Sequence, residues 1–271
     1  MKNVKEKLAA ILRTGFLPIL VDDALDPLFL AGICQEVGLP AIECSLRRRD
    51  IRQMFPKLRE QFPELVVLAA STIDDERVVS FLKGKRIFPD FEELYHLGID
   101  GVVSMLPFRK ETYEVYRGKW LFIPGVETAA DAFQQLGWGA HLIKFFNTEV
   151  FGGPRRIMAL QAPTHRVLPI LVTGGIRPER VSLYLESGAL VVAAGFDLIL
   201  TERYRQMLDC VRSHTGGQEN PDRDFIRKCL EEYLTAVTEA RAKLGQAHWT
   251  EIEDADALLE ATGRFFSFAS S

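Results

Sequence analysis

The chain has 271 residues, 47% of them hydrophobic, enough for one large core, and an α/β barrel alone would use most of that length. Its 33 basic and 37 acidic residues leave a formal charge of -4, which offers none of the broad positive field that nucleic acid or an anionic membrane attracts. The four cysteines, Cys34, Cys44, Cys210 and Cys229, are scattered without a C-x-x-C spacing, so reduced thiols in cytoplasm fit better than a disulfide framework or a zinc site.

The opening Met1-Lys2-Asn3-Val4-Lys5-Glu6-Lys7 is charged and runs into an amphipathic stretch, without a signal peptide's apolar core and cleavage site. No apolar run reaches transmembrane length. From Leu17 onward the chain repeats a short apolar run, a loop and a helical pattern, the rhythm of sequential βα units on a parallel sheet. The expected strands are Leu17–Val21, Ala41–Ser45, Leu65–Ala69, Gly101–Ser104, Trp120–Ile123, His141–Phe145, Leu168–Val172 and Leu190–Ala194. Eight such runs predict a (β/α)8 TIM barrel, with an open doubly wound sheet as the alternative.

Between the runs, Pro27–Ile33 has helical spacing, and Pro178 suits the first turn of a helix. Two segments exceed the plan. Ile73–Pro89 carries a helical pattern and the basic Lys83-Gly84-Lys85-Arg86, longer than a minimal connection and expected at the barrel mouth. After the eighth run, Asp197–His214 reads as helical, Thr215–Pro221 breaks the pattern, and two amphipathic helices follow from about Asp222 to Phe268. The expected division is a barrel over 1–200 and an all-helical extension over 201–271, packed on or beside it.

Lys144 interrupts the apolar His141-Leu142-Ile143-Lys144-Phe145-Phe146, and strand alternation puts Leu142, Lys144 and Phe146 on one side. One reading is a strand-end lysine whose stem packs while its ammonium reaches water. The other is a nucleophile, because apolar surroundings favour the neutral amine that attacks a carbonyl. In Leu39–Arg47, alternation places Ala41, Glu43, Ser45 and Arg47 on one face. A local salt bridge would account for Glu43 and Arg47; at a barrel mouth, the carboxylate can move protons and the guanidinium can fork onto a substrate carboxylate. Thr173-Gly174-Gly175-Ile176 follows the seventh run, and its glycines either make a tight turn or let backbone N–H groups approach an anion. The loops after strands seven and eight are a common phosphate site in such barrels.

Leu17-Pro18-Ile19-Leu20, Leu39–Glu43 with Leu46-Arg47, Ile123-Pro124-Gly125-Val126, Ile143-Lys144-Phe145-Phe146, Gly152-Gly153 and Thr173–Ile176 occur in the order seen in 2-keto-3-deoxy-6-phosphogluconate aldolases. From about Leu8 to Leu200 the chain resembles that family. The resemblance implies a trimeric barrel and a class I aldolase, a lyase that releases pyruvate and an aldehyde from a 2-keto-3-deoxy sugar acid phosphate or 4-hydroxy-2-oxoglutarate, with no metal or cofactor. It makes Lys144 the imine-forming nucleophile and Glu43 the general acid/base. Arg47 and Thr72 would hold pyruvate's carboxylate, Phe146 would line its pocket, and Gly174 and Gly175 would meet the phosphate.

The chain also departs from the family. Ala69-Ala70-Ser71-Thr72 replaces Gly-Ala-Gly-Thr, Met105 and Asn147 stand where prolines are usual, and Ala194-Gly195-Phe196 replaces Gly-Gly-Ser. Phe196 is therefore expected beside the aldehyde's tail, weakening phosphate preference. Two other functions compete: a thiamin-phosphate-synthase-like transferase using the glycine loop without an imine, and a catalytically silent barrel turned binding protein. His96, His141, His165, His214 and His248 have no metal-ligand spacing. Arg48 and Arg49 read as solvated, and Phe265-Phe266-Ser267-Phe268 as a packing or oligomer contact.

Overall fold

A computed structural model describes residues 3–85, 88–200 and 222–245. Arg86, Cys210, His214, His248 and the Phe265–Phe268 cluster lie outside the described residues. The strands are β1 (Phe16–Leu20), β2 (Ala41–Ser45), β3 (Val66–Ala70), β4 (Gly101–Val103), β5 (Leu121–Ile123), β6 (Ile143–Phe145), β7 (Ile170–Thr173) and β8 (Ala189–Gly195). They form one sheet in the order β5-β4-β3-β2-β1-β8-β7-β6, every pairing parallel. The ends of that order meet through backbone bonds: His141 N–H donates to Phe122 O at 2.9 Å, Lys144 N–H to Pro124 O at 2.8 Å, and Val126 N–H to Lys144 O at 3.1 Å. The sheet is thus a (β/α)8 barrel, and Lys144 lies on the seam that closes it.

Strand alternation divides the core into two layers. Ala41, Leu68, Val103, Ile123, Leu142, Leu171 and Ala193 belong to the inner cluster, while Ile42, Val67, Val102, Ile143, Val172 and Ala194 belong to the outer one beneath the helices. The helices around the barrel are α1 (Val4–Thr14), α2 (Pro27–Glu36), α3 (Ile51–Gln61), α4 (Glu76–Lys85), α5 (Phe91–His96), α6 (Lys110–Tyr116), α7 (Ala129–Trp138), α8 (Gly153–Gln161), α9 (Val181–Ser187) and α10 (Phe196–Ile199). Their starts follow local chemistry, as where Asn3 and Glu6 make a capping box on α1 and Asp26 caps α2 ahead of Pro27.

Helix α1 precedes the first strand and supplies Leu8, Ala9, Ile11 and Leu12 to the inner cluster, closing the foot of the barrel. Its Lys7 meets buried Asp100 at 2.7 Å, and the other Asp100 oxygen accepts from Arg59 at 2.9 Å and from Val67 N–H at 2.8 Å. With the foot sealed, the C-terminal strand ends are the open end. Helix α11 (Arg223–Lys243) packs on the barrel's outside, where Tyr233 stacks on Phe16 at 4.6 Å. Its Arg241 donates to Leu12 O at 2.7 Å and Leu190 O at 3.1 Å, tying it to the foot.

The extra segment after β3 forms α4, but its lysines do not reach the barrel mouth. Lys83 pairs with Asp90 at 2.5 Å and Lys85 lies over Phe81 at 5.7 Å, so neither lines the central cavity. No helix among the described residues is long and apolar enough to cross a membrane.

Candidate active site

A cavity of about 620 Å³ opens at the C-terminal strand ends, and loops from around the barrel supply its wall. Lys144 and Glu43 both point inward, as alternation requires. Lys144 Nζ donates to Glu43 Oε1 at 3.0 Å, and the residues are only 6% and 1% exposed. Glu43 is therefore paired with Lys144 and not with Arg47. Its other oxygen, Oε2, is buried and has no hydrogen-bond partner among the described residues. An amine held on a carboxylate in a largely apolar barrel is a nucleophile–base arrangement, and an uncommitted acceptor oxygen can take a proton from whatever occupies the cavity.

The backbone explains why Lys144 sits there. Gly125 packs against the backbone of Met105 so closely that a Cβ would overlap it, which lets the β4 loop cross here and leaves Pro124 and Val126 to fix Lys144 on both sides. Beyond β6, the Thr148 hydroxyl donates to Thr173 O at 2.6 Å and accepts from Thr173 N–H at 3.2 Å, clasping the ends of β6 and β7.

Around the pair, Arg47, Thr72, Phe146, Gly174 and Gly175 all line the cavity. Arg47 is exposed at the rim, with its N–H and Nε–H both directed to Ser45 Oγ, at 3.2 Å and 3.1 Å. Thr72 Oγ1 donates to Val103 O at 2.9 Å, so its hydroxyl offers only lone pairs to a carboxylate. Gly174 and Gly175 have φ of +102° and +81°, a region that favours glycine. A Cβ on Gly174 would come within 2.5 Å of Asn147 Oδ1.

Phe196 is not at the site. It is 1% exposed within the outer core, and the wall beyond β8 is made by Ala194, Gly195, Asp197 and Leu198. An irregularity near the start of β8 sets the register so that Val191 and Ala193 face inward, and alternation then turns Phe196 outward with Val192 and Ala194. Arg48, expected in solvent, is buried: it pairs with Asp50 at 2.6 Å and donates to the carbonyls of Asp22 and Leu25. Residues assigned no role from the sequence complete the wall, chiefly Ser71, Ser104, Asn147, Thr173 and Asp197. Thr173 stands in the glycine motif and Ser71 and Asn147 are departures from the family pattern, whereas Ser104 and Asp197 have position alone as a signal, each within a few residues of a strand's C-terminal end.

A sequence profile described as "KDPG and KHG aldolase" matches residues 97–209. The 2-dehydro-3-deoxy-6-phosphogalactonate aldolase of Escherichia coli K12 is 26% identical over 196 residues, covering 72% of this chain and 86% of the relative. The chain is therefore similar to KDPG and KHG aldolases, in the family profile over residues 97–209 and in this relative over most of the barrel. Among structures of that family, one titled "Native KDPGal structure" superposes with a TM-score of 0.63 at 20% identity, covering 84% of this chain and 96% of that one. A KDPG aldolase from Legionella pneumophila, solved with pyruvate captured as a covalent carbinolamine intermediate, superposes with a TM-score of 0.62 at 19% identity, covering 82% and 95%. At these identities the structural likeness establishes the shared barrel. The family profile begins after β3 and spans Lys144 and the glycine loop, whereas Glu43 and Arg47 lie before it.

Proposed function

We propose that the protein is a Schiff-base-forming aldolase, cleaving a 2-keto-3-deoxy sugar acid or a 4-hydroxy-2-oxo acid to pyruvate and an aldehyde. The observation that carries this reading is the buried Lys144–Glu43 pair, 3.0 Å apart in a cavity at the barrel mouth. A thiamin-phosphate-synthase-like transferase or a silent barrel gives no use to such a pair, which costs stability unless function needs it.

In the proposed cycle, Lys144 passes a proton to Glu43 and its neutral amine attacks the C2 carbonyl. A second amine proton moves to the new alkoxide, and Glu43 protonates the resulting hydroxyl, which leaves as water to give a protonated imine and a free Glu43 carboxylate. Glu43, directly or through a water molecule, removes the proton from the C4 hydroxyl. The C4 oxygen forms a carbonyl as the C3–C4 bond breaks, the bonding pair moves into the iminium to give a neutral enamine, and the aldehyde leaves. Glu43 returns the proton to C3, and water hydrolyses the imine to release pyruvate and the free lysine. Arg47 holds the substrate carboxylate, Phe146 packs on the pyruvyl carbons, and Gly174 and Gly175 face the aldehyde's tail.

Family resemblance brings a homotrimer and a cytoplasmic setting into the proposal. The division into a barrel over 1–200 and an appended extension over 201–271 also remains proposed, supported by α11 packing on the barrel's outside. The functional test is pyruvate release from 4-hydroxy-2-oxoglutarate and from 2-keto-3-deoxygluconate with and without its 6-phosphate. Release from at least one, lost in Lys144→Ala, is expected; release that survives the substitution would contradict the reading.

A further inference from the structure

Ser45, Ser71, Thr72 and Ser104 line the same cavity, and counting lone pairs assigns their hydrogens. Ser45 Oγ accepts from Arg47 N–H at 3.2 Å and from Arg47 Nε–H at 3.1 Å, which fills both lone pairs. Its own hydrogen therefore goes to Ser71 Oγ, 3.1 Å away. Thr72 gives its hydrogen to Val103 O at 2.9 Å, and Ser104 gives its to Thr72 O at 2.8 Å. Ser71 is left as the one hydroxyl of the four whose hydrogen has no acceptor among the described residues.

Ser71 also has φ of +60°, in the left-handed region where a side chain is disfavoured and glycine is at ease. A serine held there against local preference is the kind of strain that functional sites retain. The terminal Nη groups of Arg47 have no protein acceptor among the described residues either, since its bonds run through N and Nε.

We propose that Ser71 is a specificity-determining residue for the substrate's carboxylate, donating its hydroxyl hydrogen to the same anion that Arg47 binds, with Ser45 as the relay that fixes both donors. The proposal rests on the aldolase reading for which end of the substrate lies here. The relay runs from a guanidinium, so each hydroxyl along it is polarised toward donating, and the pair favours a carboxylate over an ester or amide.

Oxamate tests this apart from the chemistry, because it is shaped like pyruvate and its amide carbonyl forms no imine. Its Kd, measured by calorimetry on the full chain, should rise about tenfold in Ser71→Gly and Ser71→Ala, the loss expected for one hydrogen bond to a charged group. Ser71→Gly should melt at or above the wild-type temperature, because glycine accepts this backbone conformation. Unchanged oxamate affinity in both variants overturns the proposal, as does a wild type that binds no oxamate. A loss of affinity with Ser71→Gly melting well below wild type also overturns it, since the role is then structural. Borohydride trapping of pyruvate on Lys144 reports the aldolase reading separately: both variants should trap fully at saturation, with half-saturation shifted by the same factor. A wild type that binds oxamate through Ser71 but traps no pyruvate leaves the carboxylate site standing and removes the aldolase.

Discussion

Glu43→Gln separates the two tasks given to the Lys144–Glu43 pair. Glutamine has nearly the same shape, so its carbonyl oxygen can take the place of Oε1 and keep the 3.0 Å bond from Lys144. The amide nitrogen then occupies the position of Oε2, the buried oxygen without a partner, and a nitrogen there donates but cannot accept a proton. Imine formation should survive in part, while each step that moves a proton at C3 or the C4 hydroxyl slows by roughly 10²–10⁴-fold, about 3–5 kcal/mol of barrier. Exchange of pyruvate's methyl protons for solvent deuterium, followed by proton NMR, isolates the effect because it requires the imine and proton removal but no aldehyde. Slow exchange with trapping retained fits the reasoning. Exchange near the wild-type rate would move proton transfer to another group, and trapping as absent as in Lys144→Ala would make Glu43 a structural partner only.

Three further outcomes follow from the geometry. Gly174→Ala forces a side chain into φ of +102° with its Cβ 2.8 Å from the Asn147 Cα, a backbone clash that cannot swing away, and should cost at least about 1–3 kcal/mol in urea unfolding. Asp197→Asn removes a negative charge from the cavity wall beyond β8, and should raise kcat/KM for a 6-phosphorylated substrate relative to its unphosphorylated counterpart by about tenfold; an unchanged ratio would take Asp197 out of the tail's path. His141 accepts the Phe122 N–H at 3.1 Å, and burial pushes its pKa down from 6.5 to about 4. The unfolded chain then binds a proton that the folded one refuses, so stability should fall as pH drops from 6.5 to about 4, by at most about 3 kcal/mol, and the slope should flatten in His141→Gln.

The barrel was legible because each strand is a short apolar run ending in a change of chemistry. Ala41–Ser45 matches in both bounds, and the other seven strands differ by one or two residues at their ends. Alternation also put Lys144 beside Leu142 and Glu43 beside Ala41, and those are inward positions. Phe196 shows the same rule neglected: its place was taken from family alignment, whereas counting from Val191 turns it outward, and only the irregularity before Val191 was hidden from the sequence. Arg48 could not be read locally, because the carbonyls that bury it belong to a loop more than twenty residues earlier. Ser71 was legible as a departure from glycine but not as a donor, since its hydrogen is assigned only when Arg47, Ser45 and Ser71 are seen in one chain of bonds.

Reductive trapping tests the central claim most directly. The full chain is incubated with pyruvate and borohydride, digested, and mapped by mass spectrometry. A stable pyruvyl adduct on Lys144, absent in Lys144→Ala, is the predicted result, because Lys144 is the buried amine at the cavity floor with a carboxylate 3.0 Å away. An adduct on another lysine, or one that persists in Lys144→Ala, would contradict the account.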